Sequence, residues 1–201
     1  MKLVILDRDG TINEDRDDFV KSPDEWRPIP GALEAIARLN HAGWHTVIAT
    51  NQSGLARGLF DMAALNAIHA RMNRELADFG GRIDAIFFCP HGPGDGCRCR
   101  KPLPGMFEAI IERYGTPLDG AHAVGDSLRD LVAGAAAGCM PHFVRTGKGA
   151  GLDDAQIAAL LDDVPHTKVH ADLAAFASAL IQGERRERGD ATEIDSVFGA
   201  L

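Results

Sequence analysis

The sequence predicts an α/β chain built on a doubly wound, Rossmann-like parallel sheet, and three observations lead there. Apolar, β-branched runs alternate with stretches of helical spacing along most of the 201 residues. The runs are apolar almost throughout, as strands covered on both faces must be. Polar residues gather directly after them, where open parallel sheets bind ligands, beyond the strand C-termini and near the reversal of strand order.

In chain order, strands are expected at 2–6, 45–49, 84–88, 121–124 and 142–144, with helices at 31–41, 61–79, 104–114 and 127–137. Within 61–79, Leu65, Ile68, Met72, Leu76 and Phe79 recur every three or four positions, which gives one apolar face. Asp61 and Ser127 stand where N-caps belong, since their oxygens can accept from the free amides of a first turn. Pro104 suits a first helical turn, and Gly43, Gly80, Gly115 and Gly138 follow the helix ends. No internal repeat or mid-chain linker is visible. Residues 183–201 open Gly-Glu-Arg-Arg-Glu-Arg-Gly-Asp and have little periodicity. They read as a solvated, mobile tail with a short apolar end, Val197-Phe198, and 1–182 as the domain proper.

The formal charge is −8, with no Lys/Arg block, which argues against non-specific nucleic-acid binding. A small anionic substrate is allowed, because a few cations gathered locally suffice. The longest apolar runs, 3–6 and 85–88, fall far short of the ~20 residues that cross a bilayer. A carboxylate at position 7 comes too early for a signal peptide, so a cytoplasmic protein without a membrane partner is expected. With no spare apolar helix, a monomer is expected. Three of the four cysteines cluster with a histidine, as Cys89-Pro90-His91 and Cys97-Arg98-Cys99. Three thiolates and one imidazole make a closed, structural zinc set over the loop 89–99. Gly92 to Gly96 bring no core, so the ligands must hold that loop and fix Arg100 and Lys101 beside it. Cys139 reads as a small buried apolar residue.

Four polar sets follow the strands: Asp7-Arg8-Asp9-Gly10-Thr11, Thr50-Asn51-Gln52-Ser53-Gly54, Arg100-Lys101-Pro102, and Gly125-Asp126-Ser127 with Asp130. In the expected fold they converge on one sheet edge. A carboxylate at Asp7 can attack phosphorus and form an acyl phosphate. Asp9 can protonate the leaving oxygen and later deprotonate water. Asp7, Asp126 and the main-chain carbonyl of Asp9 offer hard oxygen ligands to magnesium, which offsets repulsion between two anions. Thr50, the Asn51 amide and Lys101 can hold the transferring oxygens.

The set Asp7-x-Asp9-Gly10-Thr11, Thr50-Asn51, Lys101-Pro102 and Gly125-Asp126-x-x-x-Asp130 resembles the four motifs of the haloacid dehalogenase (HAD) superfamily phosphatases, over residues 1 to about 146. The longer strings Leu-Asp-Arg-Asp-Gly-Thr-Ile-Asn, Ala-Thr-Asn-Gln-Ser-Gly-Leu-Ala-Arg-Gly and Cys-Pro-His with Cys-x-Cys-Arg-Lys-Pro are similar to its subfamily of heptose 1,7-bisphosphate and histidinol-phosphate phosphatases. The resemblance implies a capless HAD-like fold, an Asp7 nucleophile, Asp9 as acid/base, and magnesium held by Asp7, Asp9 and Asp126. For a phosphorylated sugar, Arg100 and Arg57 are candidates for a second phosphate, with Asp15, Gln52 and Ser53 as further substrate contacts. The implied activity is 7-phosphate hydrolysis on a heptose 1,7-bisphosphate, which in the family feeds ADP-heptose and lipopolysaccharide core synthesis. Histidinol-phosphate hydrolysis is the alternative, favoured by the five-residue spacing between His91 and Cys97. A non-catalytic zinc-stabilised module is the alternative of another class, and the intact Asp7 and Asp9 count against it. Ser127 departs from the pattern, since some heptose enzymes carry Lys there.

Overall fold

The computed structural model describes residues 1–198, with side chains to residue 186. Six strands, β1 (Leu3–Leu6), β2 (His45–Asn51), β3 (Ala85–Cys89), β4 (His122–Gly125), β5 (Met140–Val144) and β6 (Lys168–His170), form one parallel sheet ordered β3-β2-β1-β4-β5-β6. Helices α1 (Ala32–His41), α2 (Met62–Asp78), α3 (Gly105–Tyr114), α4 (Leu128–Ala136), α5 (Asp154–Leu161) and α6 (Leu173–Phe198) alternate with them. Strand order reverses at β1, and Leu6 pairs with Ile48 on one side and Val124 on the other. The polar residues just past these strands therefore come level at one edge.

The doubly wound form follows from β1 itself, whose four residues are all buried. Its side chains alternate between faces. Val4 and Leu6 join Ile36 and Leu39 of α1, Ile68, Met72 and Leu76 of α2, and Phe176 of α6 in one cluster. Leu3 and Ile5 join Val47, Ala49, Ala123, and Met106, Phe107 and Ile110 of α3 in a second. A third, Leu131, Phe143, Ile157 and Val164, sits under α4 and α5. Cys139 is buried, as expected.

The helix caps follow the residues that predict them. Asp61 accepts from the Ala64 amide at 2.8 Å, and Ser127 and Asp130 form a reciprocal capping box at the start of α4. Pro104 takes the N-cap position itself rather than a place inside the first turn. Residues 11–30 fold back as a short flap, with Ile29 donating to the Ile12 carbonyl and Glu14 to that of Arg27, both at 2.9 Å.

The sequence reading omits α5 and β6. Only Ile157 is buried in α5, so its periodicity is faint, and β6 is a three-residue strand reading Lys-Val-His. The division before Gly183 also needs correction: α6 runs through Gly183 to Phe198, and Glu184 pairs with Lys2 at 2.6 Å. The side chains of the short apolar end, Val197-Phe198, lie outside the described residues, and 199–201 lie outside them altogether. No helix among the described residues is long and apolar enough to cross a membrane.

A row of histidines lies across three adjacent strands under α6. His122 Nδ1 meets His142 Nε2 at 2.8 Å, and His142 Nδ1 meets His170 Nε2 at 3.0 Å. Phe176 packs edge-on against all three rings, and Trp44 against His122. A neutral imidazole both donates and accepts, so the row is satisfied only while uncharged. Burial lowers His122 to about 4, with Lys168 adding to the shift and Glu184 opposing it. Burial lowers His142 to about 2, helped by its two neighbours and Lys168. Burial and Lys168 lower His170 too.

The unfolded chain therefore binds more protons than the folded one below the ordinary histidine range near pH 6.5. Stability from this row should be full above that pH and fall as pH drops towards 4. A loss on the order of 1–2 kcal/mol for each of His122 and His142 is expected at pH 5. Urea unfolding from pH 7 to 5 checks this: His142→Gln should show a shallower decline than the parent. Equal slopes would mean that the row is not held neutral.

Candidate active site

Asp7 lies one residue beyond β1, with its amide bonded to the Val124 carbonyl at 2.9 Å. Lys101 comes from the loop after β3 and is clipped at the backbone by Asn51: its amide donates to Asn51 Oδ1, and Asn51 Nδ2 donates to its carbonyl, both at 3.1 Å. The clip delivers the Lys101 ammonium 2.9 Å from Asp7 Oδ1 and 2.6 Å from Asp130 Oδ1, where it also donates to the Ala49 carbonyl at 2.6 Å. All three side chains are buried. Burial alone would lower the lysine, but the charges and bonds of Asp130 and Asp7 hold it above its usual value.

Asp126 completes a triangle of carboxylates: one oxygen from each of Asp7, Asp126 and Asp130 falls within 4.8 Å of the others. Gly10 makes room, since a Cβ there would overlap the Asp126 carboxylate, and its φ of +84° also suits glycine. Asp126 Oδ2 accepts from the Lys148 amide at 2.7 Å, while Oδ1 is buried without a partner. Burial, then the Asp7 and Asp130 charges, push Asp126 up to about 8. Asp7 is raised to about 6 by burial, with Lys101 opposing and Asp130 and Asp9 adding. A buried, unpartnered carboxylate oxygen facing two more carboxylates fits a hard divalent cation, and magnesium suits an all-oxygen donor set.

Asp9 is not part of that triangle and has hydrogen-bond partners of its own. Arg8 bonds both its oxygens at 2.8 and 2.9 Å, Asn13 Nδ2 reaches Oδ1 at 2.9 Å, and Gln52 Nε2 reaches Oδ2 at 2.8 Å. Burial acts to raise Asp9, but the Arg8 charge and these bonds win and hold it below the usual carboxylate range. Arg8 is fully buried and also meets His69 Nε2 at 3.2 Å, which is consistent with His69 being lowered to about 4 by burial and then by the Arg8 charge. Gln52 Nε2 donates to Thr50 Oγ1 as well, at 3.0 Å.

Above this floor opens a cavity of about 250 Å³. Asp7, Asp9, Asp15, Thr50, Asn51, Gln52, Ser53, Arg57, Arg100 and Lys101, all named from the sequence, line it. Arg57 stacks over the Phe19 ring, 5.5 Å from its centroid, and Arg100 donates to the His91 carbonyl at 3.2 Å. The sequence reading assigns nothing to Arg8, Asn13, Arg129 or Lys148. Arg8 and Asn13 belong to the string Leu-Asp-Arg-Asp-Gly-Thr-Ile-Asn, whereas nothing in the sequence ties Lys148, 22 positions beyond Asp126, to this edge.

The other predicted cluster is also assembled. Ligand atoms of Cys89, His91, Cys97 and Cys99 lie within 4.8 Å of one another, and no disulfide joins them. Cys89 Sγ is 3.7 Å from Cys97 Sγ and 3.2 Å from Cys99 Sγ, and His91 Nδ1 is 3.3 Å from Cys99 Sγ. Thiolates on a tetrahedral zinc sit about 3.8 Å apart, from zinc–sulfur bonds of ~2.3 Å. Burial and the bond from Cys99 push the Cys89 thiol up to about 12, so a cation is needed for it to ionise.

Residues 13–138 match the family model of haloacid dehalogenase-like hydrolases. The chain is 59% identical over 188 residues to D-glycero-beta-D-manno-heptose-1,7-bisphosphate 7-phosphatase of Bordetella bronchiseptica, covering 90% of this chain and 99% of that one. It is 53% identical to the protein of the same name in Pseudomonas aeruginosa, covering 90% and 98%. Its fold superposes with a TM-score of 0.84 on a crystal structure of D,D-heptose 1,7-bisphosphate phosphatase from B. bronchiseptica complexed with magnesium and phosphate, over 91% of this chain and 99% of that chain at 59% identity.

Lys101 offsets two buried carboxylates, so Lys101→Met should destabilise the fold by about 3–5 kcal/mol, the usual cost of orphaning a buried charge partner. Urea unfolding at pH 7.5 measures it. A loss below ~1 kcal/mol, the range of exposed pairs, would show that the ammonium does not carry this charge balance.

Proposed function

The chain belongs to the haloacid dehalogenase-like hydrolases, and from that premise we propose a magnesium-dependent phosphatase that removes the 7-phosphate of D-glycero-D-manno-heptose 1,7-bisphosphate. The names of its relatives support the β configuration at C1 and, with the family's role, a place in cytoplasmic ADP-heptose and lipopolysaccharide core supply. The observation that carries the reaction is the buried Asp7 carboxylate, held beside Lys101 and Asp126 at the floor of a cavity whose mouth is rich in arginine.

Asp7 is the nucleophile. One of its oxygens bonds to phosphorus as the bond from phosphorus to the C7 oxygen breaks, giving an aspartyl phosphate. Asp9 hands its proton to the departing oxygen, and then, as a carboxylate, takes a proton from the water that cleaves the acyl phosphate and restores Asp7. The bonds from Arg8, Asn13 and Gln52 favour the ionised form that the second step requires. The first step needs Asp9 protonated, so the proton it takes from water in the preceding turnover has to be kept, with the carboxyl released from that grip towards the leaving oxygen. Lys101, Thr50 and Asn51 gather the phosphoryl oxygens, with Lys101 already fixed by its backbone clip. Asp7, Asp126 and the Asp9 carbonyl would hold magnesium, which supplies countercharge where two anions meet.

Cys89, His91, Cys97 and Cys99 would hold a zinc ion with four protein ligands, a closed set that would serve the fold rather than the reaction. The loop they hold runs directly into Arg100 and Lys101, so these ligands would fix where the two cations stand. The protein acts as a single domain and a monomer.

Phosphate release from heptose 1,7-bisphosphate, fructose 1,6-bisphosphate and histidinol phosphate, with magnesium present, tests the substrate. The heptose is expected to be preferred by at least an order of magnitude in kcat/KM, with Asp7→Asn inactive on all three. Preference for histidinol phosphate would replace the substrate and keep the mechanism; residual turnover by Asp7→Asn would remove Asp7 as nucleophile.

Elemental analysis should find one zinc per chain. A strong chelator, with magnesium resupplied for assay, should strip it slowly, and activity and thermal midpoint should fall together. Fast, reversible loss of turnover at constant thermal midpoint would point to a catalytic zinc instead.

A further inference from the structure

His69 stands apart chemically on α2. The other buried residues of that helix, Leu65, Ile68, Met72 and Leu76, are all apolar, as a face that covers a sheet has to be. A polar group in such a place costs stability unless it is bonded. His69 Nε2 meets Arg8 Nη1 at 3.2 Å. A guanidinium nitrogen only donates, so Nε2 accepts, and the imidazole is neutral with its proton on Nδ1. Burial, and then the Arg8 charge, keep it neutral by lowering His69 to about 4.

Arg8 bridges this helix to the reacting loop. It is fully buried, and its guanidinium is divided between two partners. Nε and Nη2 form a fork on Asp9, 3.1 and 2.8 Å from Oδ1, with Nη2 also 2.9 Å from Oδ2. The remaining nitrogen, Nη1, goes to His69. Held at both ends, the guanidinium plane is set, and a fork needs its plane set to meet a carboxylate. The Arg8 carbonyl accepts from the amides of Ile12 at 2.8 Å and Asn13 at 3.1 Å, which brings the Asn13 side chain round to Asp9 Oδ1. Gln52 closes the cradle on Oδ2.

Each of these side chains meets Asp9 through N–H groups. The cradle therefore matches a carboxylate, which only accepts, and opposes a carboxyl O–H, which would face donors. Of the two chemical steps, the second is the one that uses Asp9 as a carboxylate. There the water oxygen bonds to phosphorus as the bond from phosphorus to the Asp7 oxygen breaks, and the proton that the water loses passes to Asp9. Asp7 departs as a carboxylate, and inorganic phosphate is set free. A base held still at the cavity wall serves that step better than one that moves about. In the first step the carboxyl leaves the cradle, so a weaker cradle does not slow it.

We propose that His69, acting through Arg8, is a positioning residue for the second step: it fixes the cradle that presents Asp9 to the hydrolytic water. The inference rests on the phosphatase reading above. Neither His69 nor Arg8 is among the residues that line the cavity, so their effect reaches the reaction through Asp9 and not through contact with the substrate. The same link gives α2, which supplies none of that lining, a hold on the chemistry.

Acid-quenched single turnovers separate the two steps. Release of the dephosphorylated alcohol reports the first, and the passage of phosphate from precipitated protein to solution reports the second. The parent, His69→Leu, His69→Gln and Arg8→Lys are compared, with magnesium, on whichever of heptose 1,7-bisphosphate, fructose 1,6-bisphosphate and histidinol phosphate the parent turns over fastest. In His69→Leu, alcohol release should stay within about two-fold of the parent while phosphate release slows on the order of ten-fold, so phosphate remains on Asp7. Steady-state kcat and KM should then fall together and leave kcat/KM within about two-fold. His69→Gln, whose Oε1 can accept from Nη1, should recover most of the rate. Arg8→Lys keeps the charge but has no fork; it should show the same lag, and it decides the matter if His69→Leu does not fold. Equal slowing of both steps marks a merely structural role and overturns the assignment, as does slower alcohol release alone or parent-like timing in both His69→Leu and Arg8→Lys. An active parent with variants that show no lag fails this inference alone, whereas a parent with no turnover on any of the three substrates fails the phosphatase reading and this inference with it.

Discussion

Everything at this sheet edge answers to one electrostatic problem, three carboxylates buried together. With oxygens within 4.8 Å, each pair of ionised groups repels by roughly 3–4 kcal/mol at an effective dielectric of ~20. Lys101 supplies a single buried positive charge, bound to Asp7 and Asp130. Asp126 has only the Lys148 amide on one oxygen and nothing on the other. Burial first, and then that imbalance, raises both Asp7 and Asp126. A divalent cation held by these carboxylates would remove it and would lessen the repulsion that a phosphate dianion meets there. The charge deficit is a functional strain of the kind that folds keep at sites and offset elsewhere, here by three apolar clusters.

That strain is held by backbone, and this explains how much of the site was legible in the sequence. Asp7, Thr50 and Asp126 sit at the ends of strands whose apolar runs announce them, so their convergence follows once the sheet is parallel and β1 lies between β2 and β4. Lys101 is harder, because it reaches the floor by a loop, yet it stands beside a cysteine pair whose spacing is itself a signal. The readable residues are those whose position depends on local pattern plus one topological rule. Arg129 and Lys148 depend on where a helix turn and a glycine-rich loop happen to pack, and no periodicity encodes that.

The same distinction governs the fold. β1 to β5 and α1 to α4 carry apolar periodicity strong enough to place them within a few residues. β6 is three residues long with two polar side chains, and α5 buries one isoleucine, so both owe their structure to tertiary pairing with β5 and Phe143. Gly183 misled for a related reason. Glycine lowers helix propensity by about 1 kcal/mol, a preference that docked neighbours override, and α6 is anchored by Phe176 before it and the Lys2–Glu184 pair just after it. The histidine row beneath α6 shows the same override: polar residues in strand positions that look apolar from the pattern are tolerated because they satisfy one another.

The floor and the mouth of the site are built to different physical standards, and this separates chemistry from choice of substrate. At the floor, Asp9 has three side-chain partners and Lys101 is fixed at both backbone and ammonium, so small displacements there cost hydrogen bonds in a dry setting. At the mouth, Arg16, Arg57 and Lys148 each rest on a single neighbouring side chain, and Arg129 on none among the described residues. Long, half-solvated cations of this kind can shift by an ångström without disturbing Asp7. Such a mouth can be altered by exchange of one arginine while the phosphoryl-transfer floor stays intact. The Cys/His loop 89–99 joins the two tiers, since it leads straight into Arg100, which faces the mouth, and Lys101, which belongs to the floor. A rigid loop at that junction keeps the cation that greets the substrate in register with the one that serves the reaction.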